Sequence, residues 1–334
     1  MSDKDSGLLP LGDILKQAVP RELRPHIQIA ARTFKPLTRV QNRLLEPRPE
    51  DDNEICFQHS VFCQTGLPYR DPGDHVREWK REQGAVSLLV EAGQARHPKS
   101  REWVKLGLPW GTKPRLILCH LNAEALRQNS PVIEVEDSLS AFVKRIRGFD
   151  GGREIRIFKD QLSRLSVAVV RMATSHGDRP LQTNTQIVDD FELWPELDER
   201  QRVLWPRTIQ LSLRYFDSLR QHAVPLNEAD LGALAHTAMG LDIYAWLAQR
   251  LHRINPHKPA FIAWANLKEQ FGPDYKRMNK FKQVFRVALA QVQCRYQGAR
   301  IELDGRGMTA RNSLPPVGKR FTIISNPNPP KPND

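Results

Sequence analysis

One segment of the chain places positively charged and amide side chains at the spacing of a single helix face. From Trp264 to Leu289 the sequence is WANLKEQFGPDYKRMNKFKQVFRVAL. At about 100° per residue, the face opposite the apolar residues carries Lys276, Asn279, Lys280, Gln283 and Arg286. Lysine contacts phosphates, whereas amide and guanidinium groups can hydrogen-bond to the edges of bases. The face indicates contact with DNA, although an ordinary amphipathic helix with a solvated basic face explains it equally well.

The same segment supplies the elements that would position these side chains. A buried stripe along a long helix is predicted from the spacing of Met278, Phe281, Phe285, Ala288, Leu289 and Val292. Gly272 and Pro273 predict the end of a short helix before it, and Asp274 is placed to cap the long one. Two short strands are predicted at 299–304 and 307–311. A short helix, a turn, a long helix and a hairpin in this order predict a winged helix.

Composition and charge narrow the class of protein. The chain has 334 residues, a formal net charge of +12 and a pI near 9.7, which is enough length for about two domains and favours a polyanionic partner. The sequence contains no run of 18 apolar residues and no apolar N-terminal signal, so we expect a soluble, cytoplasmic protein without a membrane partner. Four cysteines do not make a dense disulfide framework, and we interpret them as free thiols: Cys56, Cys63, Cys119 and Cys294.

A comparable arrangement of helices and strands is predicted earlier in the chain. Residues 115–128 predict an amphipathic helix and 132–135 a strand, and Ser138 is placed to cap a second helix. That second helix carries Leu139, Phe142, Val143 and Ile146. A third helix is predicted from about Arg153, with Ile155, Phe158, Leu162 and Leu165 on its buried face and Arg153, Arg156, Asp160, Ser163 and Arg164 on the other. Strands are then predicted at about 166–173, 182–194 and 208–213.

Helices followed by strands, twice in succession, predict an α+β fold of two tandem winged-helix modules. We expect a flexible basic arm over 1–55, a first module with a dimerisation surface over 56–222, a second, DNA-binding module over 223–313 and a disordered Pro-rich tail over 314–334. Each module has one helix with a basic face, and two such helices about 34 Å apart can enter successive major grooves. The predicted DNA contacts are therefore Arg153, Arg156, Arg164, Lys276, Asn279, Lys280, Gln283 and Arg286.

Longer stretches of sequence carry a resemblance to a known family. They are LPWGTKPRLILCHLNAEALRQNSPVIEVEDSLSAFV from Leu108 to Val143, MGLDIYAWLAQRLHRI from Met239 to Ile254, GAVSLLVEAG from Gly84 to Gly93, and the pair Pro225 and Leu226. Together they resemble the RepA family of plasmid-encoded replication initiators over roughly 57–316.

The resemblance implies a function and partners. Such a protein binds directly repeated double-stranded DNA at a plasmid origin, helps to open the adjacent duplex and recruits the host initiator and replicative helicase. The resemblance also implies winged-helix modules, regulation of the protein's own expression and plasmid copy number, and a homodimer linked to repression.

The residues that could support catalysis have simpler structural explanations. The ten histidines contain no pair separated by one residue, as a rolling-circle initiator would need, and Tyr215, Tyr244 and Tyr275 are better explained as packing aromatics. A P-loop needs Gly-Lys followed by Ser or Thr, and Arg320 follows Gly318 and Lys319. We therefore expect no enzyme activity, no catalytic residue and no cofactor.

Two groups of side chains could hold a metal. Glu134 and Glu136 lie on one face of a predicted strand, as the acids of a metal-dependent primase or nuclease would. Cys56, His59, Cys63 and His75 include zinc ligands, but their spacing matches no zinc motif and apolar residues lie between them. We expect no metal site, and the open alternatives to an initiator are a primase or nuclease and a winged-helix transcriptional repressor.

Overall fold

The structure is a computed structural model, and it describes residues 44, 55–97, 100–135, 141–144, 152–176, 179–190 and 208–317. Within these ranges helices and antiparallel sheets are mixed along the chain, in agreement with the predicted α+β class. Most of the predicted arm, the predicted tail beyond Val317, and Ser138 lie outside the described residues.

The first part of the described chain contains ten strands and four helices that the structure bounds. In chain order they are β1 (Ile55–His59), α1 (Ser60–Thr65), β2 (Glu78–Gln83), β3 (Val86–Glu91), β4 (Gln94–Arg96), β5 (Trp103–Lys105), α2 (Thr112–Gln128), β6 (Val132–Glu134), α3 (Gly152–Val167), β7 (Val169–His176), β8 (Arg179–Gln186), β9 (Val188–Asp190), β10 (Thr208–Leu211) and α4 (Leu213–His222).

The second part of the described chain is richer in helix. Its elements are β11 (Ala223–Asn227), α5 (Glu228–Leu234), α6 (Ala238–Arg250), a 3₁₀ turn (Leu251–Arg253), β12 (Ala260–Ala263), α7 (Trp264–Phe271), α8 (Met278–Arg295), β13 (Ile301–Leu303) and β14 (Gly307–Ala310). The predicted short helix, long helix and two strands of this region are confirmed.

The sheets are small and each is antiparallel. Hydrogen-bonded strand orders are β2-β3-β7-β8, β6-β10-β9 and β12-β14-β13, with the separate pairs β1-β11 and β4-β5. The hairpin β7–β8 directly follows α3, and the hairpin β13–β14 follows α8. Both parts of the described chain therefore contain a helix with a basic face followed by a hairpin.

The helix predicted over 115–128 is confirmed as α2, but its predicted amphipathic character is wrong, because α2 is buried much more completely than an amphipathic helix. All of its residues from Pro114 to Ala125 are buried. The reason is that β1, α3, α4 and α6 pack around the helix on different sides. A single sequence does not show how many elements will surround a helix, because periodicity reports only the polarity of its own faces.

Several predicted boundaries also differ from the structure. The strand predicted over 166–173 is β7, which starts later because α3 continues to Val167. The strand predicted over 182–194 is divided into β8 and β9 at Ile187, and residues beyond Asp190 are outside the described part. Residues 141–144 are helical with Phe142 and Val143 buried, as predicted.

A buried ion pair joins α2 to α6. The Arg115 guanidinium donates to both carboxylate oxygens of Asp242, at 2.6 and 2.8 Å, and also to the carbonyl oxygens of Leu67 and Gly111, each at 2.6 Å. Gly66 has a φ of +76°, and a Cβ there would lie 2.5 Å from a carboxylate oxygen of Asp242. The ion pair is therefore enclosed by backbone, with its hydrogen-bonding groups occupied.

We predict that Arg115→Ala strongly destabilises the protein, because it leaves the Asp242 carboxylate buried without its cation. The expected loss in the free energy of unfolding is about 3–5 kcal/mol. Urea unfolding followed by circular dichroism measures it. Lys80→Ala is the matched control, since Lys80 and Glu78 form a pair with side chains 67% and 54% exposed, and its expected effect is below about 1 kcal/mol. Equal effects of the two variants would contradict the prediction.

His59, at the start of α1, is a neutral buried histidine. Its Nδ1 accepts from the Val61 backbone N–H at 3.2 Å, so Nε2 carries the hydrogen and donates to the Ser218 hydroxyl at 3.0 Å. Burial, with a smaller contribution from His222, lowers the pKa of His59 to about 3. The side chain caps a helix and packs in the core, as the sequence favoured over a zinc ligand.

This histidine should make stability depend on pH. Below about pH 6.5 the unfolded chain binds a proton at His59 and the folded chain does not, so stability falls as the pH is lowered towards 3. Between pH 7 and 5 the expected loss is on the order of 2 kcal/mol. Urea unfolding at both pH values should show this loss in the wild type and a much smaller one in His59→Gln. Identical pH dependence of the two proteins would refute the assignment.

Candidate nucleic-acid interface

The position of α8 is determined by an aromatic cluster built on Trp264. The Trp264 ring packs edge-to-face on Phe285 and Phe281, with centroids 5.8 and 6.4 Å apart. Its indole N–H donates to the Asp304 carbonyl oxygen at 3.0 Å, and its backbone N–H donates to the Arg306 carbonyl oxygen at 3.1 Å. One buried residue at the start of α7 therefore holds both α8 and the β13–β14 hairpin.

The turn between α7 and α8 brings the two helices close together. A Cβ on Gly272 would lie 2.5 Å from the Phe281 ring, so the close approach requires glycine. The expected capping role of Asp274 is wrong, because α8 begins at Met278 and its N-cap position is Arg277, which makes no side-chain cap hydrogen bond. Lys276 consequently lies in the turn and is exposed, whereas the sequence analysis placed it on the helix.

The first two turns of α8 present the polar face that the sequence indicates. Asn279, Lys280 and Gln283 are exposed, opposite the buried residues Phe281 and Phe285. The Lys280 ammonium donates to the Gln283 side-chain oxygen at 3.2 Å. Because the oxygen accepts this hydrogen bond, the amide NH₂ of Gln283 is left to donate to another acceptor.

Two further cations lie beside the Trp264 ring. The Arg286 guanidinium carbon is 5.1 Å and the Lys282 ammonium 5.2 Å from its centroid. These distances allow cation–π attraction, which limits the orientations of both side chains. Lys282 also donates to the Gly305 carbonyl oxygen at 3.4 Å, so it connects α8 to the hairpin. Arg286 is one of the predicted contacts, whereas Lys282 was not predicted because its position lies on the flank of the helix face.

The β13–β14 turn exposes another arginine. One Asp304 carboxylate oxygen accepts from the backbone N–H groups of Arg306 and Gly307, at 2.7 and 2.8 Å. These two hydrogen bonds hold the pKa of Asp304 below its ordinary value. The Arg306 side chain is 86% exposed. A structured turn thus holds a cation beside α8, and the only sequence signal for it was the Asp-Gly-Arg-Gly turn.

The C-terminal end of α8 is fixed by a buried polar network. The Arg295 side chain donates to Asp230 at 3.0 Å, and the Tyr244 hydroxyl donates to the other carboxylate oxygen of Asp230 at 2.8 Å. Tyr244 also accepts from the Asn227 backbone N–H at 3.2 Å. Arg295 and Asp230 are almost fully buried, so α8 is held against α5 and α6 at this end. Tyr244 has a structural role, as the sequence favoured.

In the first part of the chain, α3 carries the other predicted contacts. Arg153 and Arg156 are exposed near its first turns. The Arg164 side chain is only 16% exposed, and it pairs with Asp160 at 3.0 Å and Asp74 at 3.7 Å. Those carboxylates compete with any phosphate for Arg164. The eight predicted DNA contacts are divided between two regions, α3 and the start of α8 with the turn before it. All eight remain predictions.

The structure also shows where the side chains considered for catalysis or metal binding lie. Tyr215 is buried and donates to Asn122 at 3.0 Å. Burial raises the pKa of the Cys56 and Cys63 thiols well above the ordinary value, which disfavours the thiolate that a metal would need. Glu134 is exposed on β6, and Glu136 lies outside the described residues.

Two features are absent from the part of the chain that the structure describes. It contains no cluster of three or more His, Cys, Asp or Glu side chains suited to a metal ion. It also contains no helix with the length and hydrophobicity to span a membrane.

Comparison with solved structures gives weak similarity. A selenomethionine derivative of domains 2 and 3 of RctB aligns with a TM-score of 0.47 at 8% identity, covering 75% of this chain and 96% of that chain. A second structure of RctB domains 2 and 3 aligns with a TM-score of 0.46 at 10% identity, covering 75% of this chain and 94% of that chain. No curated protein matches the chain.

A family model gives the clearer result. Residues 108–266 match the model described as "Plasmid encoded RepA protein". The match begins just before α2 and ends in the first turn of α7, so α8 and the following hairpin lie beyond it. The resemblance of the sequence to the RepA family is therefore confirmed over this central region, residues 108–266.

Proposed function

We propose that this protein initiates plasmid replication by binding directly repeated origin DNA with sequence specificity. In the proposal, the chain promotes local opening of the duplex, recruits the host initiator and replicative helicase and regulates its own expression, with a homodimer linked to repression. It acts as a DNA-binding protein without catalytic chemistry of its own. The proposed modules are 56–222 and 223–313, between a basic arm over 1–55 and a tail over 314–334.

The observation that carries this proposal is the exposed start of α8. There the Lys280 ammonium lies beside the amide of Gln283, and Trp264 holds α8 and the β13–β14 hairpin together. The N-terminal residues of a recognition helix are those that enter a major groove. With its oxygen held by Lys280, the NH₂ of Gln283 would donate to an acceptor on a base edge, such as purine N7.

Phosphate contacts would surround this base contact. In the proposal, Lys276 and Lys280 bind phosphates on the α8 side, and Arg306 binds the backbone next to the hairpin. Arg286 and Asn279, like Gln283, contact the edges of bases. Arg153 and Arg156 on α3 contact a second groove. Arg164 donates to the Leu108 carbonyl oxygen at 3.5 Å, so its main role is to position the protein backbone near Leu108.

A winged-helix repressor would use the same duplex-binding surface, and the match of residues 108–266 to the RepA family model favours the initiator. The two are separated by whether the protein distorts DNA after binding. An initiator should make bases next to the repeats reactive to permanganate, which detects unstacked thymine, whereas a repressor should leave them unreactive.

We predict different consequences for two neighbouring substitutions on α8. Gln283→Ala should reduce discrimination at one or two base pairs by roughly 5- to 100-fold, because a base-edge hydrogen bond is lost. Lys280→Ala should weaken binding to all sequences about equally and lower the slope of log affinity against log salt by about one, because a phosphate contact is lost. Fluorescence anisotropy with origin duplexes of altered sequence, over a salt series, measures both effects.

Two controls make this experiment specific. Gln297→Ala removes an exposed amide just beyond α8, and Lys80→Ala removes an exposed cation on β2. Neither should change affinity or specificity by more than about twofold. If Gln283→Ala and Lys280→Ala both reduce affinity equally on every sequence, the assignment of base contact and phosphate contact is wrong.

A further inference from the structure

The β4–β5 hairpin carries an exposed indole on a polar face. In its antiparallel register Arg96 lies opposite Trp103, and Gln94 lies opposite Lys105. Because side chains alternate between the faces of a strand pair, these four share one face. Trp103 is 68% exposed, whereas Ala95 on the other face is buried. This site was not predicted from the sequence, because a strand of three residues is too short to show which of its faces is exposed.

The base of the hairpin is firmly attached to the rest of the protein. Arg77 donates to the carbonyl oxygens of Leu106 and Ala92, each at 2.6 Å, and of Gly93 at 3.0 Å. Gly93 lies so close to the end of α3 that a Cβ there would be 1.9 Å from the Val167 carbonyl oxygen. The hairpin is therefore held in place at its base, while the face with Trp103 is open to solvent.

The charge around the indole indicates the chemistry of a partner. Arg96, Arg101 and Lys105 are exposed, and Glu102 is the only acidic residue in the sequence from 94 to 105. A hydrophobic protein partner would call for apolar neighbours around Trp103, and these neighbours are mainly cationic. An aromatic face among cations is the arrangement that binds unpaired nucleic acid, through stacking on bases and attraction of phosphates.

Unpaired DNA fits this face better than duplex DNA does. In a duplex, each base face is covered by the neighbouring base pair, so an indole can stack only after the pairs have been separated. In an unpaired strand the base faces are accessible, and stacking needs no such separation.

We propose that the β4–β5 hairpin is a binding site for single-stranded DNA. Trp103 stacks on an unpaired base, and Arg96 and Lys105 contact the adjacent phosphates. The inference rests on the proposed function, since opening of an origin duplex is what would supply the unpaired strand. The site is separate from the α8 surface, which contacts paired DNA.

The test uses the full chain and a fluorescently labelled oligothymidylate of about 20 nucleotides, with binding followed by anisotropy. Trp103→Ala should weaken binding roughly 5- to 100-fold, the range expected for loss of one stacked base. Trp103→Phe keeps an aromatic ring and should recover most of the affinity. Leu213→Ala, which truncates an apolar side chain 62% exposed on α4, is the matched control and should leave affinity within about twofold.

The same variants are then measured on an origin duplex. We expect Trp103→Ala to change the affinity of the protein for the origin duplex by less than about twofold. Unchanged oligothymidylate binding in this variant would overturn the proposal, as would an equal loss on duplex and single strand. If the wild type fails to select origin duplexes but Trp103→Ala still loses oligothymidylate binding, the proposed function fails and the single-strand site stands.

Discussion

The packing of Trp264 between α8 and the β13–β14 hairpin is the interaction on which the candidate DNA surface depends. Its ring contacts the buried side of α8 through Phe285, and its N–H is bonded to the hairpin at Asp304. The same ring lies beside Arg286 and Lys282, so it also orients cations at the edge of the surface. Sequence specificity needs side chains held in fixed positions relative to each other, and a buried indole with its hydrogen bond made provides this.

A second constraint connects this surface to the rest of the described chain. Strand β1 pairs with β11 over its whole length, and Gln270 on α7 donates to the Gln64 carbonyl oxygen at 3.0 Å. The Arg115–Asp242 pair adds a buried charge contact between α2 and α6. Removing either partner would leave the other charge buried without its counter-ion, which is costly. Through Gln64 and the adjacent β1, α7 is therefore connected to β11, which lies within the region that the RepA family model matches.

The sequence predicted those parts of the structure that local spacing controls. The apolar stripe of α8, the helix end before Gly272 and the two strands after α8 all follow from periodicity and from the properties of Gly and Pro. Features that depend on distant residues were not predictable from one sequence. Predicting the burial of α2 from Pro114 to Ala125 requires knowledge of every element around it, and one of the two ion pairs of Arg164 is with Asp74, which is far away in the sequence.

The candidate site shows the same division. Periodicity identified the exposed residues at the start of α8, but it could not place Lys276 in a turn, because a helix start depends on capping contacts as well as on spacing. It also could not distinguish the exposed Trp103 from a buried tryptophan, since exposure is a property of the packed molecule. A charged surface can be inferred from composition, whereas the positions of its specific contacts require the fold.

Footprinting over a salt series, on the plasmid DNA flanking its own gene, tests most directly whether this protein recognises specific duplex DNA. We expect protection of directly repeated sites, each about two helical turns long, that persists at salt concentrations removing non-specific binding. Uniform protection that disappears as salt increases would contradict it, because that is the behaviour of a basic protein without sequence recognition.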